Sequence, residues 1–308
     1  MFVIRIIKKY PFLFIYGKVG NRMSLKLMYI TNRPEIAKIA ESAGVDRIFV
    51  DMEYIGKDLR QGGMDSVQNH HTVDDVRNIK SVLTRSKLLV RINPIHEASA
   101  DYCSSEEEIN SVIEAGADII MLPYFKTTDD VETFLKMVSG RVKTMLLLET
   151  SEAVNIIDDI IKIPGIDEIH IGLNDLHLSY GLDFMFELLT NGTVELLCKK
   201  IGSAGIKYGF GGVAKIGYGA VPAEMIILEH YRLGTSMTIL SRSFCDYTKI
   251  STVEQFEKEF TANMKELREF ESKAAKSSDM AFSQNQKRLK IAVDNVAQII
   301  RKSKKEQE

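Results

Sequence analysis

Glu149 and Asp175 each close an apolar run that reads as a strand, Thr144-Met-Leu-Leu-Leu-Glu149 and Ile169-His-Ile-Gly-Leu-Asn-Asp175. Each run is followed by a helical pattern, so both carboxylates are expected to project from one end of a parallel sheet. Two hard oxygen donors on neighbouring strands are the chemistry of a divalent-cation site. A lone acid at a strand end has a plainer use, capping the next helix or pairing with a lysine; it is the pair that points to metal. Three more charged residues end neighbouring runs: Asp51 and Glu53 after Phe49-Val, and Arg91 after Val90. Four acids and one arginine on one rim would be costly in a partly dry cavity unless a cation or a proton relieved them. All-oxygen ligation points to Mg²⁺ or Mn²⁺, which keep positions open for water and substrate. No cysteine or paired histidine stands at the spacing of a structural zinc site. The planar fork of Arg91 suits a carboxylate or a developing enolate oxygen; its other reading is a structural partner of Asp51 or Glu53.

The elements that must hold these residues follow from periodicity. Apolar runs at 25–30, 47–53, 87–92, 118–123, 143–149, 168–173, 207–210 and 236–241 read as eight strands. Between them lie amphipathic segments such as Pro34 to Gly44, where Ile36, Ile39, Ala40 and Ala43 share a face. Thr72, Ser104, Thr127 and Ser151 are expected N-caps, with acids in the first turn that follows. Eight βα repeats favour a closed (β/α)8 TIM barrel over residues 23–250. No G-x-G-x-x-G follows the first strand, which removes the main support for a dinucleotide fold. Residues 251–308 read as additional C-terminal helices and a solvated tail from Lys302. One helical stripe carries Phe256, Phe260, Met264, Leu267 and Phe270, the second Leu289, Val293, Val296, Ile299 and Ile300. They are expected either to close the barrel floor or to make a subunit contact.

Composition narrows the partners. The chain has 308 residues, 45% of them hydrophobic and 27% charged, enough for a full core and one barrel-sized domain. A formal net charge of -2 and a pI near 6.4 leave no footprint for nucleic acid, so a small soluble substrate is the expectation. Cys103, Cys198 and Cys245 are widely spaced and form no disulfide framework, which fits a reducing cytoplasm. Residues 2–16 are apolar but broken by Arg5, Lys8, Lys9 and Pro11, too short and interrupted to span a bilayer. No membrane role is expected, and residues 1–22 read as an extension ahead of a translation start at Met23.

Several of these segments, taken in order, resemble the HpcH/HpaI aldolase and citrate lyase family. They are Ala43 to Glu53, Val90-Arg91-Ile-Asn-Pro94, Gly116 to Pro123, Leu148-Glu149-Thr150, Ile163-Pro-Gly-Ile-Asp167 and Ile171-Gly172-Leu-Asn174-Asp175-Leu. The resemblance spans roughly residues 30–245. It implies a phosphoenolpyruvate/pyruvate-type barrel and metal-dependent making or breaking of a carbon–carbon bond through a pyruvate enolate. By that resemblance Glu149 and Asp175 match the metal ligands, and Arg91 the arginine that holds the pyruvyl oxygen. Asp51, Glu53, Gly172 and Asn174 are then candidates to contact the substrate, a 2-oxo acid cleaved to or condensed with an aldehyde. A homo-oligomer is also implied.

Two departures bear on the chemistry. Many aldolases of the family follow the Asp-x-Glu motif with an acid–base histidine, whereas this chain has Tyr54, and Leu147 stands where many members carry glutamine. The insertion from Lys57 to Thr72, with Arg60, Gln61, Gln68, His70 and His71, follows the second strand on the same rim. Its histidines are either part of a surface loop before a capped helix or the source of the missing base, one imidazole exchanging the aldol proton. Gln61 and its neighbours would meet a sugar-like aldehyde. Tyr54 is expected to donate a hydrogen bond rather than act as base, given a free phenol pKa of about 10. Gly209-Phe-Gly-Gly212 is either a tight turn or a backbone cradle for a phosphate or carboxylate. No strand end carries a lysine for an imine, so the enolate route is preferred to a Schiff base. The other readings are a citramalyl- or malyl-CoA-type lyase, a phosphorus–carbon or phosphoenolpyruvate enzyme, and a non-catalytic barrel acting as a binding or assembly module.

Overall fold

Short aliphatic runs become the staves of a barrel, and three of them are entered from a helix end through a glycine turn that pins the strand start. The computed structural model describes residues 24–56 and 71–306. Its strands are β1 (Lys26–Ile30), β2 (Arg47–Asp51), β3 (Lys87–Arg91), β4 (Ile119–Leu122), β5 (Lys143–Leu148), β6 (Glu168–Ile171), β7 (Lys207–Val213) and β8 (Met237–Leu240). Each pairs in parallel with the next, and β1 pairs with β8 in the register Lys26 to Met237, which closes the barrel. The fold is therefore the expected (β/α)8 barrel, followed by C-terminal helices.

The described helices are α1 (Pro34–Ser42), α2 (Val73–Val82), α3 (Ser105–Glu114), α4 (Thr128–Val138), α5 (Ser151–Asn155), α6 (Ile157–Ile160), α7 (Leu173–Ser179), α8 (Glu187–Thr190), α9 (Thr193–Ser203), α10 (Ala223–Leu233), α11 (Val253–Ala274) and α12 (Asp279–Lys305). Thr72, Ser104 and Thr127 cap α2, α3 and α4 as expected, each in a reciprocal box with Asp75, Glu107 or Asp130. Ser151 does not cap α5. Thr150 does, because its hydroxyl accepts from the Ala153 N–H at 3.2 Å while donating to the Phe125 carbonyl at 2.8 Å.

A Gly-x-Asp repeat sets the strand starts. Gly44, Gly116 and Gly165 take φ of +96°, +100° and +98°, which turns the chain out of a helix, and Asp46, Asp118 and Asp167 follow two residues later. Their carboxylates accept the backbone N–H of Leu27, Leu88 and Thr144 at 2.8, 2.9 and 2.9 Å. Each acid thus ties its own strand to the one before it. Inward-facing Met28, Phe49, Leu89, Ile119, Met121, Met145, Leu147 and Met237 fill the barrel, while the outward positions pack on the helices. Beneath this filling lies one dry ion pair. Arg47 donates from Nη1 and Nη2 to the two carboxylate oxygens of Glu168 at 2.6 and 2.7 Å.

The C-terminal helices do not plug the barrel floor. They lie on its flank: α11 packs on α1 and α10, and α12 on α10 and α8. Phe256, Phe260, Met264 and Leu267 are buried, with Tyr29 meeting Phe260 edge-on at 4.9 Å. In α12 Leu289 and Val293 are buried, but Ile299 faces outward and is 64% exposed. The expected tail from Lys302 is helical to Lys305, held by Arg301 and Lys304 on Asp183. No helix among the described residues is long and apolar enough to cross a membrane.

Candidate active site

The two carboxylates named first in the sequence come from different kinds of element. Glu149 is the residue after β5, as expected. Asp175 is not at a strand end: β6 stops at Ile171, and Asp175 is the third residue of α7. The chain leaves β6 because the Gly172 N–H still reaches the Leu148 carbonyl at 3.0 Å, whereas its own carbonyl already accepts from Leu176 N–H at 3.2 Å. Glu149 and Asp175 are nonetheless both buried, at 3% and 7% exposure, while Asn174 beside them is exposed. Gly172 leaves the space Glu149 uses. A Cβ there would stand 2.8 Å from Glu149 Oε2 and 2.9 Å from its Cβ. The other oxygen, Oε1, accepts the Tyr124 N–H at 3.0 Å. Tyr124 adopts φ of +50°, a costly conformation for a non-glycine residue, and that backbone is what aims its N–H at Glu149. Nothing in the sequence around Tyr124 signals this turn.

These residues fit a divalent cation in donor chemistry. The carboxylates are hard oxygen ligands, and Glu149 is oriented by a backbone hydrogen bond and by the missing Cβ of Gly172. Among the described residues no cluster of three or more His, Cys, Asp or Glu forms a metal-binding group, so most of a cation's coordination would fall to water and substrate.

Arg91 makes the ion pairs of its structural reading. Its Nε and Nη2 donate to the two oxygens of Asp51, both at 2.8 Å, and its Nη1 lies 3.1 Å from Glu53 Oε2. Burial works against the guanidinium charge, but Asp51 and Glu53, with a smaller contribution from Glu149, raise its pKa well above the ordinary value. Asp51 and Glu53 are 1% and 0% exposed and are directed at Arg91, so they shape the rim through the arginine. The group carries two carboxylates to one guanidinium.

His71 directly precedes the Thr72 cap, but its side chain is not at the surface. It is buried, and its Nδ1 accepts the Asp51 N–H at 3.0 Å, which puts the proton of the neutral ring on Nε2. His70 and Gln61, with Arg60 and Gln68, lie outside the described residues. The Tyr54 backbone N–H donates to Asn93 Oδ1 at 3.0 Å, and its ring meets Tyr102 at 5.1 Å. Tyr54, His71, Asn93, Tyr102 and Glu108 border a cavity of about 390 Å³ beside the rim. Burial, with Glu108 and Tyr102 adding to it, raises the Tyr54 pKa, so the phenol keeps its proton. Asn93 had no role in the sequence reading. Its amide joins the β2 exit to Glu108 of α3, donating from Nδ2 at 2.9 Å.

The glycines of β7 do not form a tight turn after the strand. They lie inside the strand, which shifts register between Gly209 and Gly212 and so runs on to Val213, past the expected end at 210. A Cβ on Gly209 would fall 2.1 Å from the Met237 carbonyl oxygen. The shifted Gly211 carbonyl lies 3.0 Å from Nε2 of buried His170.

The HpcH/HpaI aldolase/citrate lyase model matches residues 26–185, just over half of the 308 residues. The chain belongs to the HpcH/HpaI aldolase/citrate lyase family. Solved structures agree on the fold. A family protein from Burkholderia cenocepacia J2315 aligns with TM-score 0.52 and 16% identity, covering 70% of this chain and 87% of that one. An HpcH/HpaI aldolase from Desulfitobacterium hafniense DCB-2 gives 0.50 and 17%, covering 80% and 93%. The citrate synthase SbnG gives 0.53 and 14%, covering 81% and 95%. No curated protein matches the chain. Within this HpcH/HpaI member, Leu147 is an inward core residue whose Cδ1 lies 3.1 Å from the Gly172 Cβ position, so the pocket wall under Glu149 is apolar.

Proposed function

We propose that the protein is a divalent-metal-dependent carbon–carbon lyase that cleaves or forms a 2-oxo-4-hydroxy acid through a pyruvate enolate. The observation that carries this reading is the contrast on one rim between Arg91, whose charge is already outweighed by Asp51 and Glu53, and the buried pair Glu149 and Asp175. An enolate is an anion, and among the described residues Arg91 is already paired with two carboxylates, which favours a positive charge brought in from outside the chain. Mg²⁺ or Mn²⁺ held by Glu149 and Asp175 would supply Lewis-acid polarisation of the substrate's keto oxygen.

The chain's residues do the rest. Arg91 has five N–H groups, and those not directed at Asp51 and Glu53 would donate to the carboxylate or keto oxygen of a pyruvyl unit from a side chain already fixed in place. In cleavage, the C4 hydroxyl loses its proton as the C3–C4 electron pair moves into the pyruvyl unit. The aldehyde departs, and protonation at C3 completes pyruvate. His71 Nδ1 is occupied by the Asp51 N–H, so that ring positions the end of β2 and leaves the proton-accepting role to His70. Protonated Tyr54 borders the side cavity and would hydrogen-bond the acceptor part of the substrate. A sugar-like aldehyde fits the polar residues of the 57–72 insertion. The remaining assignments are substrate contacts at Gly172 and Asn174, a cytoplasmic location and a homo-oligomeric state.

The test is pyruvate release from a panel of 2-oxo-4-hydroxy acids, with citrate and a citramalyl-CoA thioester included, with and without Mn²⁺ or Mg²⁺. Metal-dependent turnover that Glu149→Ala abolishes is expected. Turnover that ignores chelators, or absence of both turnover and metal binding, would remove the enolate reading.

A further inference from the structure

The end of the barrel opposite Glu149 has its own charge pattern. The first residue of five strands is basic: Lys26 in β1, Arg47 in β2, Lys87 in β3, Lys143 in β5 and Lys207 in β7. Side chains alternate along a strand, and Met28, Phe49, Leu89 and Met145 point into the barrel, so the residues two positions earlier point into its N-terminal mouth. Lys207 does likewise, beside Glu168 in the β6–β7 register.

The acids at this end are already engaged. Glu168 holds Arg47. Asp118 takes Lys80 at 2.7 Å and Lys87 at 3.4 Å, and Asp46 takes Arg268 at 3.1 Å. Asp167 accepts from the Thr144 N–H. Among the described residues Lys26, Lys143 and Lys207 make no ion pair, and Lys26 feels the charge of the other two. Burial first, then Arg47, Lys207 and Lys143, hold the Lys26 ammonium below its ordinary pKa, with Glu168 opposing. Beside them, Lys143 and Arg141 line a cavity of about 800 Å³ on the same face. The Arg141 guanidinium donates to Asn110 Oδ1 and to the Met137 and Val138 carbonyls and makes no ion pair among the described residues, while Asp118 and Asp167, engaged as above, line the same cavity.

We propose that the N-terminal mouth of the barrel is an anion-binding site for a ligand bearing a diphosphate group, held by Lys26, Lys143 and Lys207. Three ammonium groups from three strands around one opening repel one another. A compact oxyanion with several charges and many acceptor oxygens relieves all three at once, which a single carboxylate does not. Lysine suits this use, as a point charge on a flexible stem that finds a phosphate oxygen without a fixed angle. The site shares no residue with the carboxylate rim and stands independently of the reaction proposed there.

The experiment titrates inorganic pyrophosphate into the full chain in metal-free buffer, by calorimetry and thermal melting, against chloride at matched ionic strength. Pyrophosphate is expected to bind and raise Tm. Lys143→Gln/Lys207→Gln, at two exposed positions, should weaken binding by roughly tenfold, and Lys290→Gln on α12 should leave it unchanged. Without ligand, the double variant should melt no lower than wild type, because it removes like charges that repel. No binding above the chloride control would overturn the proposal, as would equal binding by the double variant. A double variant that melts lower yet keeps its pyrophosphate response would do the same, by making the lysines structural.

Discussion

Two arginine–carboxylate groups stand inside the same barrel. At the floor Arg47 meets one acid, Glu168, through two parallel hydrogen bonds, and the pair is 3% and 1% exposed. At the rim Arg91 meets two acids, Asp51 and Glu53, is 14% exposed, and also feels Glu149. The floor group is balanced and dry, so removing either partner strands a buried charge, and the pair has no surplus charge of its own to offer a ligand. The rim group carries surplus negative charge, with Glu149 close enough to add to it. The same residue types therefore do different work: stoichiometry and solvent access, more than the presence of an arginine, separate a structural pair from a site.

The contrast can be tested in order of expected effect. Glu149→Ala should lower metal-dependent pyruvate release by roughly 10³-fold or more while leaving urea unfolding close to wild type; a comparable loss of stability would make Glu149 another structural acid. Glu168→Ala should cost about 3–5 kcal/mol in urea unfolding, because Arg47 is left buried without its partner. Asp51→Ala leaves Glu53 on Arg91 and should cost only about 1–3 kcal/mol. Equal costs for the two would erase the distinction between floor and rim.

Between the two groups, on the same inward face of β6, stands His170, with Glu168 below and Gly172 above. Burial lowers its pKa from 6.5 to about 4, with the hydrogen bond to the Gly211 carbonyl opposing. Because the folded-state pKa is depressed, the unfolded chain takes up a proton below pH 6.5 that the folded chain refuses. Stability from this group is full above pH 6.5 and falls by about 3 kcal/mol as pH drops towards 4. Unfolding free energies measured across that window should decline less steeply in His170→Gln than in wild type. His230, lowered to about 3 by its own burial, keeps a residual slope in the variant. The smallest expected effect is at Gly172. Its substitution by alanine places a Cβ 2.8 Å from Glu149 Oε2 and should weaken Mn²⁺ binding by about 10–100-fold in calorimetric titration, with the fold retained. Unchanged affinity would mean that the carboxylate is not positioned by that gap.

What could be read from the linear chain was local. Aliphatic runs of four to seven residues and the helical stripes between them announce eight strands and a closed barrel, because periodicity reports directly on which side of an element is buried. Capping boxes at Thr72, Ser104 and Thr127 were legible for the same reason, each needing only residues three apart. Glu149, Asp51, Glu53 and Arg91 could be placed on one rim because strand ends in a parallel barrel share one face. Contacts between distant segments settled the remainder. Asp175 belongs to α7 because Gly172 splits its two backbone bonds between β5 and the new helix, a choice that strand pairing makes. Arg91 is held by Asp51 and Glu53 because β2 and β3 pair Asp51 with Arg91, and His71 is drawn from a loop to the Asp51 N–H across 20 residues of chain. Tyr124 left no trace in composition, since its role is carried by a backbone N–H in a left-handed turn. Residue type and spacing fix which groups the chain can offer; register, burial and backbone direction decide which of them face each other.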